Sequence, residues 1–340
     1  MINDAEHVAF HREERMTRRK WLLPALAIAT ACGHVTIPAT AQTYPAKPIT
    51  LVVPFPAGGG NDALARLVAE RMSKTLGQQM VVENRGGAGG TVATRAIAKS
   101  PPDGYTILLT YTGTLAINPT LYPNPGYDPR QDFAPVGSIG TLTSVLVTHP
   151  SLPVRTTAEL IAFGKANPGK INYAFVPGTV GHIATEMFAR SAGISLTNIP
   201  YKGNGNAIGD LLGGHVSMMF LSILPVIGNI QGGKLNALAV ASPTRSPLVP
   251  NVPTIAESGI PGFSTVITYG LAAPAGTPRA IIERLNKELR AALDDETLRA
   301  RLVSEGGQVL PGTPEEYASV IDEEEKKWGP LVRSLDLKVE

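Results

Sequence analysis

Cysteine is almost missing from this chain of 340 residues: the only one, Cys32, falls in an N-terminal leader. If the leader is removed after Ala41, what is left has no disulfide, no thiol nucleophile and no thiolate metal site. Downstream of the leader no run approaches the roughly 18 consecutive apolar residues of a membrane span. Charge is also sparse, at 17% of residues with a formal net charge of +2, and no basic block offers a footprint for nucleic acid. Catalytic signatures are missing as well. There is no G-x-S-x-G elbow, no H-E-x-x-H, no clustered cysteine and histidine set, and no G-K-[ST] after any glycine turn. These gaps predict a protein without cofactor, metal or catalytic residues, held together by its core.

What is present begins with the leader. MTRRKWLLPALAIATACGHVTIPATAQ, residues 16–42, has Arg18, Arg19 and Lys20, an apolar run from Trp21 to Ala31, and the small-x-small signal Ala39-Thr40-Ala41. This is the pattern of a secretory signal peptide, with Met16 as the expected start and a mature chain from near Gln42. The paired arginines fit either the general or the twin-arginine route. Ala29-Thr30-Ala31-Cys32 resembles a lipoprotein box weakly, having alanine where leucine is usual, so lipid anchoring at Cys32 is the lesser alternative to a soluble periplasmic protein.

Beyond the leader, short and nearly continuous apolar runs alternate with helical patterns. ITLVVPF (49–55), QMVVEN (79–84), YTILLT (105–110), INYAFV (171–176), VSMMFLS (216–222) and LNALAVAS (235–242) read as strands buried on both faces. ALARLVAERMSKTL (63–76) puts Leu64, Leu67, Val68, Met72 and Leu76 on one stripe, and AIIERLNKELRAAL (280–293) does so with Ile281, Ile282, Leu285 and Leu289. Thr313-Pro314-Glu315-Glu316 is a capping box that opens a last helix running to about Trp328. The alternation predicts a doubly wound α/β fold. Proline- and glycine-rich joints at 117–135 and 243–262 are where the chain is expected to pass between two lobes.

VVPFPAGGGND, at 52–62, is the most informative junction. Gly58, Gly60 and Ala63 match the G-x-G-x-x-A spacing of a dinucleotide turn, with Glu83 about 20 residues on. Pro54 and Pro56 interrupt that junction, Asp62 sets a negative charge in the first helical turn, and export removes the protein from the nucleotide pool. Loose glycine backbone at a helix N-terminus instead suits a smaller anion, although Asn61 or Asp62 as N-cap and glycines as turn formers need no ligand. Two further junctions, YTGT (111–114) and VPGTVGHIATEMF (176–188), suggest a shared crevice at the carboxyl ends of strands. It would offer hydroxyls from Thr112, Thr114 and Thr179 and N–H groups from Gly58, Gly59, Gly60, Gly113 and Gly178. Lysine and arginine are scarce in these loops, so backbone dipoles would hold an anion.

TYPAKPITLVVPFPAGGGNDALAR, VVENRGGAGGTVATRAIAKSPPDGYTILL, IPYKGNGNAIGDLLGGHV, LNALAVASPTRSPLVPNVPTIAESGIPGF and LAAPAGTP together resemble the Bug, or TctC-like, extracytoplasmic solute receptors of tripartite tricarboxylate transporters. The resemblance covers essentially all of residues 43–340. It implies a two-lobed periplasmic-binding-protein architecture of the Venus-flytrap, type II kind. Its lobes, divided as 42–144, 145–245 and 246–340 behind a 1–41 leader, would close as a monomer on a small carboxylate and deliver it to membrane permease subunits.

By the same resemblance Phe55, Pro56, Ala57, Gly58, Gly59, Gly60 and Asp62 form the first-lobe ligand loop. Tyr173 and the 175–182 loop, with Phe175, Val176, Gly178, Thr179 and His182, form its second-lobe counterpart, and Tyr201 and Tyr269 line or flank the cleft. Phe175-Val176-Pro177-Gly178-Thr179 replaces a turn that is serine-rich in many members, and Ser217 replaces an acid after G-G-x-V. An apolar turn there predicts an acid of low charge, with an apolar body against Phe55, Phe175 and Val176, in preference to citrate. Lys202 either neutralises a ligand carboxylate or is simply solvated. His182 and Glu186, four apart, either share a metal or make a polar helix start. An exported α/β enzyme acting on a carboxylate or ester is the alternative function, and it lacks a visible base and nucleophile.

Overall fold

The computed structural model describes residues 44–304 and 307–337; the leader, its arginines and Cys32 lie outside the described residues. In chain order the elements are β1 (Ile49–Val53), α1 (Gly60–Leu76), β2 (Met80–Asn84), α2 (Thr91–Ala98), β3 (Thr106–Tyr111), α3 (Asn118–Leu121), β4 (Phe133–Thr148), α4 (Thr157–Ala166), β5 (Asn172–Phe175), α5 (Val180–Ala192), β6 (Thr197–Pro200), α6 (Asn204–Leu212), β7 (Met218–Ser222), α7 (Ile227–Gln231), β8 (Asn236–Val240), β9 (Val266–Pro274), α8 (Arg279–Asp294), α9 (Glu296–Ser304), β10 (Gly307–Val309) and α10 (Pro314–Leu335). Short helical turns at Ala88–Gly90, Gly113–Ile117 and Leu224–Val226 complete the list.

All six apolar runs are strands. In the first lobe β1 lies between β2 and β3, parallel to both, with Leu51 opposite Val82 on one side and Ile107 on the other. In the second lobe β5 is parallel to β6 and β7. Helices cover the inner strands β1, β3, β5 and β7, which are apolar on both faces, whereas the edge strands depart from that expectation: Val81 on β2 and Thr197 and Asn198 on β6 are exposed. β3, β9 and β4 then run antiparallel to one another, and β4 runs antiparallel to β7 and β8.

β4 belongs to both lobes. Its residues from Phe133 to Thr143 pair with β9, and those from Ser144 to Thr148 pair with β7. The chain returns at Thr265, whose N–H donates to Ala241 O in the second lobe, and Val266 then pairs with Thr143 in the first. Both passages therefore run through strand backbone and not through the proline-rich joints at 117–135 and 243–262. Tyr127 and Phe133 pack in the first lobe, and Val249, Ile255 and Phe263 pack in the second. The second lobe thus keeps residues 246–265, past the boundary expected at 245. Glycine, proline, serine and threonine break up the apolar pattern of β4, whose register shifts twice between Pro135 and Gly140, and that is how sequence periodicity passes over it.

The helical stripes pack as their spacing predicts. Leu64, Val68, Met72 and Leu76 of α1 and Ile282, Leu285 and Leu289 of α8 are buried in the first-lobe core, with Leu67 and Ile281 at its edge. The last helix runs beyond Trp328, which is fully buried, to Leu335. At its start the capping box is closed: Thr313 Oγ1 accepts from Glu316 N at 3.2 Å and Thr313 N donates to Glu316 Oε2 at 2.7 Å. Among the described residues no helix is long and apolar enough to cross a membrane. Thr313→Ala leaves an N–H of the first turn without its cap and should lower stability by about 1 kcal/mol, read as a shift of the urea midpoint at unchanged slope.

Candidate functional site

β1, β5 and β6 each lead at their carboxyl ends into a helix, and the first turns of α1, α5 and α6 open on one small cavity between the lobes. Asn61 comes from α1, Thr179, Val180 and Gly181 from the start of α5, and Asn204 from α6. Phe55, Tyr111, Tyr269 and Ile267 complete the first-lobe wall, and Phe220, Leu221 and Ser222 the second. None of these lining residues is charged. Three helix N-termini thus supply the positive potential, and their first-turn N–H groups the donors, without a side-chain cap at α1 and α6 and with His182 N of α5 capped by Thr179. The cavity is about 30 Å³, room for one or two waters, so a solute enters only if the lobes part.

A second, wider space of about 860 Å³ lies at the mouth of the cleft. Pro56, Ala57 and the Gly86–Gly89 turn face Val176, Pro177, Tyr201 and Lys202 across it. Between the two spaces the lobes touch. Gly89 O accepts from Tyr111 Oη at 2.9 Å and from Asn118 Nδ2 at 2.8 Å, and Tyr111 Oη also lies 3.3 Å from Gly178 O of the other lobe. A Cβ on Gly89 would sit 2.2 Å from Pro177 O, so only glycine permits this approach.

The structure thus brings together some of the expected residues and sets others aside. Phe55, Thr179 and Tyr269 line the inner cavity; Pro56, Ala57, Val176 and Tyr201 line the outer space. Gly178 stands at the contact between lobes. Gly58, Gly59 and Gly60 form the turn into α1, whose N-cap is Gly59 and not Asn61 or Asp62. A Cβ on Gly60 would come 2.6 Å from Ser222 Oγ across the cleft, whereas one on Gly59 would meet open space.

Asp62 turns away from both spaces. Its Oδ2 accepts from Gly58 N at 3.0 Å and its Oδ1 pairs with Arg66 at 3.0 Å. Burial pushes its pKa up, but the hydrogen bonds from Arg66 and Gly58 outweigh that and hold it below the ordinary value. Its work is to fold the glycine turn back on the helix.

Thr112, Gly113 and Thr114 line neither space. Thr112 Oγ1 accepts from Thr268 N at 2.9 Å, Thr114 Oγ1 donates to Tyr111 O at 3.1 Å, and Gly113 passes so near the Tyr111 ring that a side chain there would overlap it. These residues anchor the end of β3, and Tyr111 is the one that reaches the cavity. Phe175 and His182 also face inward, stacked with ring centroids 4.4 Å apart. Thr179 caps α5 through its Oγ1, which accepts from His182 N. Glu186 accepts from Tyr173 Oη, and among the described residues no set of three or more metal-ligating side chains converges. Lys202 is exposed at the mouth, and Tyr201 Oη donates to Asp210 Oδ2 at 2.6 Å. Glu83 is paired with Arg85 at 2.7 Å on the surface, remote from a ribose-binding role.

Sequence reasoning missed Asn61, which it weighed only as an N-cap, and Tyr111, Asn204, Phe220, Leu221, Ser222 and Ile267. Ser222 ends an expected strand and Asn204 opens an expected helix, so their positions as element termini were the available signal. Ile267 lies on β9, which the periodicity did not reveal.

Comparison with known proteins gives the family. The sequence pattern described as "Tripartite tricarboxylate transporter family receptor" (TctC) matches residues 64–337. The chain belongs to that receptor family. It is 39% identical over 326 residues to Protein BugT of Bordetella pertussis (strain Tohama I), covering 95% of this chain and 99% of the relative. Among solved structures it is similar to the periplasmic binding protein BugD, with a TM-score of 0.84 and 38% identity over 87% of this chain and all of that one. It is also similar to an R. palustris protein solved with adipate, with a TM-score of 0.83 and 35% identity over 86% of this chain and 98% of that one. The receptor is therefore a solute-binding protein of the periplasmic type and not an exported enzyme.

His182 gives this receptor a pH signature. Burial lowers its pKa from 6.5 to about 4, so the folded imidazole stays neutral where an unfolded one takes up a proton. Its contribution to stability is complete above pH 6.5 and is lost as the pH falls toward 4. His182→Phe, which can keep the stack on Phe175, should flatten the loss of stability across that window in urea titrations. Parallel curves for the two proteins would show that His182 does not carry the effect.

Proposed function

We propose that this receptor captures a small carboxylate in the cavity between its lobes, closes on it by bending at Thr143–Ser144 and Thr265–Val266, and presents it to the permease subunits of a tripartite tricarboxylate-type transporter. The observation that carries this reading is the convergence of three helix N-termini on a cavity with no charged lining residue. N–H donors and helix dipoles favour an anion there, and similarity to the R. palustris protein solved with adipate supports a carboxylate. The leader pattern at 16–41 supports export and work in the periplasm.

Charge neutrality of the walls limits how much negative charge the cavity holds, because each further buried carboxylate without a cationic partner costs several kcal/mol. An acid placing one carboxylate in the cavity is therefore favoured over citrate. Phe175 is turned into the second-lobe core, and Val176 lies at the mouth, so the apolar part of the ligand meets Phe55, Phe220 and Ile267 instead.

A calorimetric panel of butyrate, malate, adipate and citrate tests the reading. At least one mono- or dicarboxylate should bind tightly and citrate weakly, and small-angle scattering with the bound acid should follow the change in lobe separation. Gly60→Val projects into Ser222 as the lobes meet, and should weaken the best acid by at least about tenfold. Tight citrate binding, no binding of any acid, or native affinity in Gly60→Val would overturn the proposal.

A further inference from the structure

We propose that Asn61 selects a carboxylate over its uncharged amide analogue, and that Tyr269 is the residue that positions Asn61 to do so. This rests on the reading that the cavity takes a carboxylate, and goes beyond it by naming the donor and what aims it.

Asn61 stands in the first turn of α1 and lines the cavity. Its side-chain amide has two faces, an oxygen that accepts and a nitrogen that donates. Turned one way it attracts a carboxylate; turned the other it repels one. Tyr269 Oη donates to Asn61 Oδ1 at 2.6 Å, a separation that fits O–H···O and is short for the N–H···O contact a turned amide would make. The tyrosine is 1% exposed on β9, and its ring stacks on Tyr111 with centroids 6.3 Å apart, so its hydroxyl has little freedom. Burial raises its pKa, which keeps the phenol protonated and a donor throughout the physiological range. With Oδ1 held by Tyr269, Asn61 offers a ligand chiefly its Nδ2 hydrogens.

The rest of the cavity points the same way. The starts of α1, α5 and α6 present N–H groups, and the Ser222 hydroxyl can donate. A carboxylate accepts from all of these. A primary amide brings its own N–H hydrogens against donors and leaves buried groups unpaired, which a polar site rejects strongly. Tyr269 also lines the cavity, but its hydroxyl is engaged with Asn61, so its effect on the acid-to-amide preference runs through that amide, whereas a tyrosine acting only as wall would alter affinity without altering the preference.

The test measures, by calorimetry, the ratio of affinities for butyrate and adipate against butyramide and adipamide in the native receptor and two variants whose fold is checked by circular dichroism. Asn61→Asp keeps an acceptor for Tyr269 but removes the donor and adds negative charge. It should weaken the acids by at least about 30-fold and the amides by less than about threefold. Tyr269→Phe frees the Asn61 amide to turn and should narrow the acid-to-amide ratio by about fivefold. A ratio within about twofold of native in Tyr269→Phe, or native acid affinity in Asn61→Asp, would overturn the proposal while the carboxylate reading stands. A native receptor that binds no acid of the calorimetric panel overturns both at once, and that outcome is visible before any variant is made.

Discussion

One strand shared between two sheets governs this receptor. Because β4 pairs with β9 along its first part and with β7 and β8 along its last, the lobes cannot separate without bending a hydrogen-bonded backbone. The return at Thr265–Val266 runs beside it, pairing Val266 with Thr143. Two adjacent strand segments make a hinge with one soft direction and resist sideways sliding, since a slip would break ladder bonds in both lobes. The relative position of the helix N-termini around the cavity follows from that constraint, as does the close approach of Gly60 to Ser222 and of Gly89 to Pro177.

The site works by orientation more than by charge. Asp62, a formal negative charge beside the ligand turn, is neutralised by Arg66 and by the Gly58 N–H before it can act on a solute. Lysine stays at the mouth. What remains inside are peptide dipoles, amides and hydroxyls, whose strength grows as the closing lobes exclude water. A receptor built this way can hold an anion without a fixed counter-ion, and its grip weakens as soon as water returns on opening.

Much of the fold was legible in the sequence because parallel strands and amphipathic helices leave strong periodic signals. The runs that became β1, β3, β5 and β7, the α1 and α8 stripes and the Thr313 capping box are of this kind. β4 and β9 were not legible: they are antiparallel strands rich in glycine, proline and threonine, buried for topological reasons that no local window contains. The same divide runs through the site. Of the residues that the family resemblance named, Phe55, Thr179 and Tyr269 line the inner cavity. Thr112, Thr114, Phe175 and His182 carry plausible chemistry, yet their orientation depends on packing against β9 and α5, which spacing does not reveal. Tyr111 opens the expected YTGT junction at 111–114 without having been singled out, and it is the member that reaches the cavity.

Tyr111 has a single proton and two carbonyl neighbours, Gly89 O in its own lobe and Gly178 O in the other. It can satisfy only one of them fully at any moment. Closing therefore brings a second acceptor to a donor that is already engaged, and the meeting of the two glycine turns adds almost no hydrogen-bond enthalpy of its own. That meeting is therefore no lock, and what joins the lobes in this structure lies elsewhere: Arg190 of α5 donates to Ser334 O of α10, and Val176, Val180 and Ile183 pack against the first-lobe core.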